Sequence, residues 1–273
     1  MNLRLTHRHV HPAVNLAVIA AILAVLTTAC GESTPTRAAA PATSTTNSPD
    51  ASDAPVIDPG DPSDHPPLPD ATEFVAVVDN PYLPFAPGTT WVYEGTSEGE
   101  TERIEIEVLA ERKEIQGISA TIVRDTVYVG GELVEDTFDW FAQDRDGNVW
   151  YLGEDVKDYE RGEVVSTAGS FEAGSDGALA GIVMPTEPRV GHAFRQELYP
   201  GEAEDMAEIL QVDARSTVAA GTYDDVVVTR DWNPLDPHPI EEKHYARGVG
   251  LIFETHTRGP AGSVELLEFT PGA

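Results

Sequence analysis

The chain has 273 residues, a formal charge of −30 at pH 7 and 41% hydrophobic residues. A chain this acidic repels anionic partners, which excludes binding to nucleic acid and to anionic membrane surfaces through charge. The hydrophobic content suffices for a folded core. The single cysteine excludes a disulfide framework and a cysteine metal site.

Residues 1–29 have the features of a bacterial export signal. The first eleven residues carry arginines and no acidic side chain, and residues 13–26 form an almost uninterrupted apolar run. This run is shorter than the roughly 20 residues that a membrane-spanning helix needs. A basic N-terminal region, a short apolar run and a small residue before the cleavage site are typical of a secretory signal peptide.

The lone cysteine, Cys30, directly follows Ala29 at the end of this segment. This arrangement resembles the lipobox of bacterial lipoproteins, in which the cysteine thiol is lipidated and becomes the mature N-terminus. Thr27 departs from that pattern, which usually has an aliphatic residue there. The alternative is an ordinary signal peptide with an incidental cysteine. The resemblance implies lipid attachment at Cys30, with the membrane as a partner through this lipid.

Residues 30–71 are rich in Pro, Ser, Thr, Ala and Asp and contain few large aliphatic side chains. Such a segment cannot bury enough apolar surface to offset the entropy lost on ordering. We therefore predict a disordered tether over 30–71 that lifts a folded domain, residues 72–273, off the cell membrane.

The rest of the chain has the alternation of half-buried strands. Its densest part, residues 119–159, predicts a three-stranded meander with turns at Gly130-Gly131 and at residues 144–147. Further alternating segments span 223–232, 240–246, 251–257 and 264–269, and residues 202–210 predict one short helix. The predicted fold is mainly β: a single domain of antiparallel meanders forming a curved sheet, a half-barrel or a sandwich.

Four short segments of this domain stand out: DTFDW at 136–140, DRDGNVWYLGED at 144–155, VAAGTYDD at 218–225 and HYARGVGLI at 244–252. They are similar to segments of uncharacterised bacterial secreted lipoproteins. The resemblance covers residues 80–270. It implies a curved antiparallel sheet in an extracytoplasmic protein, akin to lipoprotein-carrier folds, and it supplies no catalytic residues.

The meander contains a candidate metal site. Pairing outward from Gly130-Gly131 places Asp125 opposite Asp136, and the second hairpin places Asp136 opposite Asp155. Like charges directly opposite are destabilising unless a hard cation such as calcium, or a shared proton, neutralises them. The alternative is a solvated acidic edge.

The turn after the second strand is another candidate for calcium. Asp144, Asp146 and Asn148 have the alternate spacing of the first oxygen ligands of an EF-hand loop. Val149 replaces the glycine that such a loop needs at its sixth position. An ordinary Asp- and Gly-rich hairpin turn is the alternative.

Two classes of function remain open. The first is a non-enzymatic, lipid-anchored binding module for a small molecule or a protein. The second is a calcium-binding protein or metal-dependent hydrolase that uses the aspartate row. Within the meander no histidine, serine or cysteine is placed to complete a catalytic site, so the sequence favours the binding module.

Overall fold

The computed structural model describes residues 65–97 and 99–272. The predicted signal peptide, Cys30 and most of the predicted tether lie outside the described residues. The elements, in chain order, are a short 3₁₀-helix, Ala71–Glu73, and sixteen strands: β1 Thr90–Ser97, β2 Glu100–Ile115, β3 Ile118–Val129, β4 Glu132–Gln143, β5 Val149–Asp155, β6 Asp158–Glu160, β7 Glu163–Ser166, β8 Phe171–Glu172, β9 Leu179–Met184, β10 Ala193–Arg195, β11 Glu197–Leu198, β12 Met206–Val218, β13 Gly221–Asn233, β14 Asp236–Ala246, β15 Gly250–Arg258 and β16 Gly262–Thr270.

All strands belong to one antiparallel, unclosed curved sheet, so the predicted fold class is confirmed. The main path runs β10-β12-β13-β14-β15-β16-β1-β2-β3-β4-β5-β9-β11. Two meanders, β12–β16 and β1–β5, are joined where β16 pairs with β1, from Thr90 opposite Thr270 to Ser97 opposite Gly262. The first and last long strands of the domain are therefore neighbours in the sheet.

The central meander forms as predicted from β3, β4 and β5. Gly130 and Gly131 both have positive φ, 59° and 86°, which a type I′ hairpin turn requires and glycine adopts without strain. The second turn closes on Asp144, whose backbone N–H donates to the carbonyl of Asn148 at 3.0 Å. Local turn chemistry was thus sufficient to locate both hairpins.

The short helix predicted over 202–210 is wrong. Residues before Met206 form a turn, and β12 starts at Met206 and pairs with β13, placing Met206 opposite Trp232. Met206, Ala207 and Ile209 are buried in the core. The intrinsic helix preference of such a stretch is worth only a few tenths of a kcal/mol per residue, so the ladder and the buried side chains override it.

The two ends of the sheet path are consecutive in the chain. β10 pairs with β12, and β11 pairs with β9, with only Gln196 between them. At the crossing, a Cβ on Gly181 would lie 2.4 Å from the carbonyl carbon of Gln196. Glycine at position 181 is what lets the two backbones approach this closely.

The sheet has an apolar cluster on each face. The larger cluster draws on both meanders and includes Trp91, Phe141 and Ile252; we call the face that carries it the inner face. The smaller cluster lies on the outer face of β3, β4 and β5 around Trp140 and Trp150. None of the helical residues within 65–97 and 99–272 forms a segment able to span a bilayer.

The N-terminal end of the described chain covers the outer cluster. Leu68 and Ala71 pack against that cluster, and His65 Nε2 lies 2.6 Å from the carbonyl oxygen of Ala180. Residues 65–71, predicted to belong to the tether, therefore contact the domain, and the folded part begins before residue 72.

Candidate functional site

The predicted aspartate row is not assembled, because neither hairpin has the predicted register. In the second hairpin Asp155 lies opposite Phe138 instead of Asp136, and the first hairpin contains a bulge. Val129 pairs with Glu132 as expected, but Val127 pairs with Glu135, leaving Val134 as an extra residue on β4. A shift of one residue exchanges the faces of a strand. Asp125 therefore lies opposite Thr137 instead of Asp136.

The three aspartates of this row lie on two faces of the sheet. Asp125 is buried on the inner face. Asp136 lies on the outer face, where it forms a two-bonded ion pair with Arg124 at 2.8 and 3.0 Å. Asp155 pairs with Lys157 at 2.7 Å. Each outer aspartate thus has its own cation from the chain.

The turn predicted as a calcium loop is held by its own hydrogen bonds. Asp144 is buried, and its Oδ1 accepts the backbone N–H of Asn148. Its Oδ2 accepts the side-chain amide of Asn148 and the indole N–H of Trp150. Asp146 is exposed. Both oxygens of Asp144 are therefore engaged in fixing the hairpin.

The bulge instead assembles carboxyl groups that the sequence reading missed. Glu135 and Asp139, rather than Asp136, share the inner face with Asp125. They belong to a larger set of acidic residues that are each at most 6% exposed, here called the buried carboxyl cluster: Glu102, Asp125, Glu135, Asp139, Glu154, Glu197, Asp205, Asp231 and Glu254. Neither carboxyl oxygen of Asp125 or of Glu102 has a hydrogen-bond partner among the described residues.

Burial raises the pKa of these groups. It raises that of Asp125 well above its usual range, with the carboxyls of Glu135 and Asp139 adding to the effect. Burial raises the pKa of Glu135 to about 8 although the Thr137 hydroxyl donates to it. Burial likewise raises the pKa of Asp139 to about 7, despite a 2.6 Å hydrogen bond from the Tyr151 hydroxyl. The cluster therefore retains protons near neutral pH.

The hairpin of β14 and β15 places two basic groups, Lys243 and His256, beside carboxyl groups. Lys243 is buried, and its Nζ lies 3.2 Å from Glu241 Oε2, 3.6 Å from Glu254 Oε2 and 3.7 Å from Asp231 Oδ2. Opposite Glu241 in the ladder stands His256, with Nε2 3.3 Å from Glu241 Oε1. Burial lowers the pKa of Lys243, but the surrounding carboxylates raise it by more, so the ammonium stays charged.

A second feature is an open cleft of about 360 Å³ beside β5 and β8. Its walls include the aromatic rings of Trp140, Phe171 and Tyr199. The ammonium of Lys113 lies 3.3 Å above the centre of the Trp140 ring and 2.8 Å from Glu172 Oε2. The acidic lining residues are Glu154, Asp155, Glu172 and Asp176.

The hairpin site had only a partial signal in the sequence. The segments 240–246 and 251–257 were both predicted as strands, but regular pairing around Gly248 places Ile240 opposite His256; a register shift between His244 and Tyr245 brings Glu241 there instead. The buried carboxyl cluster had no comparable signal, because it depends on the bulge at Val134 and on contacts between the two meanders.

No known protein family and no curated protein matches the chain. Two solved structures are similar to it. One, from Bacteroides fragilis, is described as an exported protein with a YmcC-like fold; it is 12% identical, with a TM-score of 0.39 over 70% of this chain and 99% of that one. The other, from Parabacteroides distasonis, is described as a lipoprotein; it is 13% identical, with a TM-score of 0.38 over 69% and 98%. Both likenesses are too distant to carry an argument about this chain.

Proposed function

We propose that this chain is an exported, lipid-anchored binding module whose cleft beside β5 and β8 takes a small cationic organic molecule. The N-terminal sequence supports the location: a basic start, an apolar run and Ala29 before Cys30. The cleft supports the binding role, since its volume of about 360 Å³ falls in the usual range of small-molecule sites, roughly 300 to 1,000 Å³.

The position of the Lys113 ammonium supports a cationic ligand. It stands over the face of the Trp140 indole while pairing with Glu172, so this wall already holds an ammonium by a cation–π contact and a carboxylate. An organic cation that enters the cleft finds the same two partners if Lys113 moves aside. Glu172 and Asp176 remain as acidic lining residues against Lys113, since Lys157 neutralises Asp155 from outside the cleft and burial raises the pKa of Glu154 well above its usual range.

The lining also supports binding without catalysis. Ser170 and Ser175 line the cleft, but no histidine or cysteine does so within the described chain. The hydroxyl of Ser170 accepts the backbone N–H of Val156 at 2.9 Å. A serine nucleophile needs an adjacent base, and the lining provides no imidazole for that role.

The test is calorimetric titration of the full chain with 1,5-diaminopentane and, separately, with glutarate, a dianion of the same carbon count. We expect saturable binding of the diamine and none of glutarate. Glu172→Gln should weaken diamine binding, since it removes the anionic partner, while Glu163→Gln, an exposed change on β7, should not alter it. Lys113→Met should strengthen binding by removing the internal competitor. Equal binding of glutarate, or no effect of Lys113→Met and Glu172→Gln, would refute the proposal.

A further inference from the structure

The imidazole of His256 is held in one orientation by the loop that follows β15. Its Nδ1 lies 2.7 Å from the carbonyl oxygen of Pro260. A carbonyl can only accept a hydrogen bond, so Nδ1 must carry the proton. Nε2 is then the free ring nitrogen whenever the imidazole is neutral, and it is directed at Glu241 Oε1.

This is the arrangement in which proteins prepare a histidine for a metal ion, with one ring nitrogen donating to a carbonyl and the other facing the ligand site. Only 4% of the His256 side chain is exposed, and its Nε2 contacts Glu241 Oε1 at 3.3 Å. A buried neutral imidazole whose lone pair faces a carboxylate is unfavourable, so Nε2 needs either a proton or a cation.

The other two ligands come from the paired strands. One oxygen of Glu241, one of Glu254 and a ring nitrogen of His256 all lie within 4.8 Å of one another. The 3.3 Å between Glu241 Oε1 and His256 Nε2 matches the roughly 3.4 Å expected between two ligands at about 2.1 Å from a tetrahedral zinc ion. Neither oxygen of Glu254, a fully buried residue, accepts a hydrogen bond in the described chain.

Lys243 contacts both carboxylates of this group. Its ammonium contacts Oε2 of Glu241 and Oε2 of Glu254, which leaves Glu241 Oε1 directed at His256. The ammonium therefore helps to fix the two carboxylates in place. It acts as a positioning residue.

We propose that Glu241, Glu254 and His256 form a binding site for one divalent transition-metal ion, with zinc as the type. An imidazole with carboxylates suits zinc and its neighbours, whereas calcium takes oxygen ligands only. The site lies on the β14–β15 hairpin and shares no residue with the cleft beside β5 and β8, so it is independent of the proposed ligand of that cleft.

The test uses the full chain with other strong zinc ligands removed: Cys30→Ser and His7, His9 and His11→Asn, all outside the described residues. Calorimetry with zinc should give one site per chain. His256→Gln and Glu254→Gln should each weaken zinc binding by more than about tenfold. His244→Gln is the matched control, since His244 also lies on this hairpin but uses its nitrogens on Ser216 and Glu242; its effect should stay within about twofold.

A measurement on the parent chain keeps the proposal testable should a variant fail to fold. X-ray absorption at the zinc edge should show one imidazole with oxygen ligands and no sulfur. The proposal is overturned by the absence of a one-site isotherm, by unchanged affinity in a folded His256→Gln variant, or by a zinc shell without imidazole. Calcium that binds this site as tightly as zinc would also overturn it.

Discussion

The buried carboxyl cluster should make the stability of the domain fall as pH rises, and Glu135 offers the clearest test. Its Oε1 accepts the Thr137 hydroxyl at 2.9 Å, and its Oε2 has no hydrogen-bond partner among the described residues. Burial raises its pKa from 4.5 to about 8. The folded protein thus holds a proton here that the unfolded chain has lost over this interval.

The sign follows from proton linkage. Where the folded state binds more protons than the unfolded state, the free energy of unfolding decreases with increasing pH. The contribution of Glu135 is fully present below pH 4.5 and is lost as pH rises to about 8. At about 1.4 kcal/mol per pH unit, the loss between pH 5 and pH 8 reaches roughly 4 kcal/mol as an upper bound.

Glu135→Gln keeps the shape of the protonated side chain but cannot ionise. We expect the variant to gain stability relative to the parent by about 2 to 4 kcal/mol on going from pH 5 to pH 8. The assay is urea unfolding followed by tryptophan fluorescence at each pH. Glu132→Gln, an exposed change on the same strand, is the control and should leave the pH profile unchanged. Parallel profiles for the parent and Glu135→Gln would show that Glu135 is ionised in the folded protein and that burial does not raise its pKa.

Three further outcomes are expected. Cys30→Ala should release the protein from membranes into the medium, and continued membrane association in cell fractionation would contradict lipidation at this cysteine. Leu68→Ala should lower the free energy of unfolding by about 1 to 2 kcal/mol, because Leu68 packs on the outer cluster; no change in urea unfolding would mean that this segment does not stabilise the domain. Asp136→Asn should cost at most about 1 kcal/mol through loss of the exposed pair with Arg124 and should leave any response of the unfolding temperature to calcium unchanged, whereas loss of such a response would restore the metal role predicted for Asp136.

The fold could be predicted from the sequence wherever the signal was local. Gly130-Gly131 located the first hairpin, and the alternation in residues 251–257 located β15, because turn chemistry and side-chain period act within a few residues. The prediction of a helix over 202–210 was wrong because this segment pairs with β13. That pairing is a long-range contact, and the residues next to the segment do not indicate it.

The prediction of the aspartate row was wrong for a related reason. The bulge at Val134 places each following residue of β4 on the face opposite to the predicted one. The sequence around Val134 contains no glycine or other signal that predicts a bulge there. The prediction therefore chose Asp136 where Glu135 and Asp139 belong. The partners of His256 were hidden in the same way, because the β14–β15 ladder also shifts register, between His244 and Tyr245, and regular pairing would place Ile240 opposite His256.

The pairing of β1 with β16 sets the order in which the domain can be completed. Thr90 and Thr270 face each other across a loop of about 180 residues, whose closure costs roughly 4 to 5 kcal/mol of chain entropy. The ribosome makes β1 first and β16 last, so β1 waits with one row of backbone amides unpaired during nearly the whole of synthesis. A chain halted before residue 262 keeps that edge open to pairing with other chains, which makes late truncation more hazardous to solubility than its small loss of mass suggests.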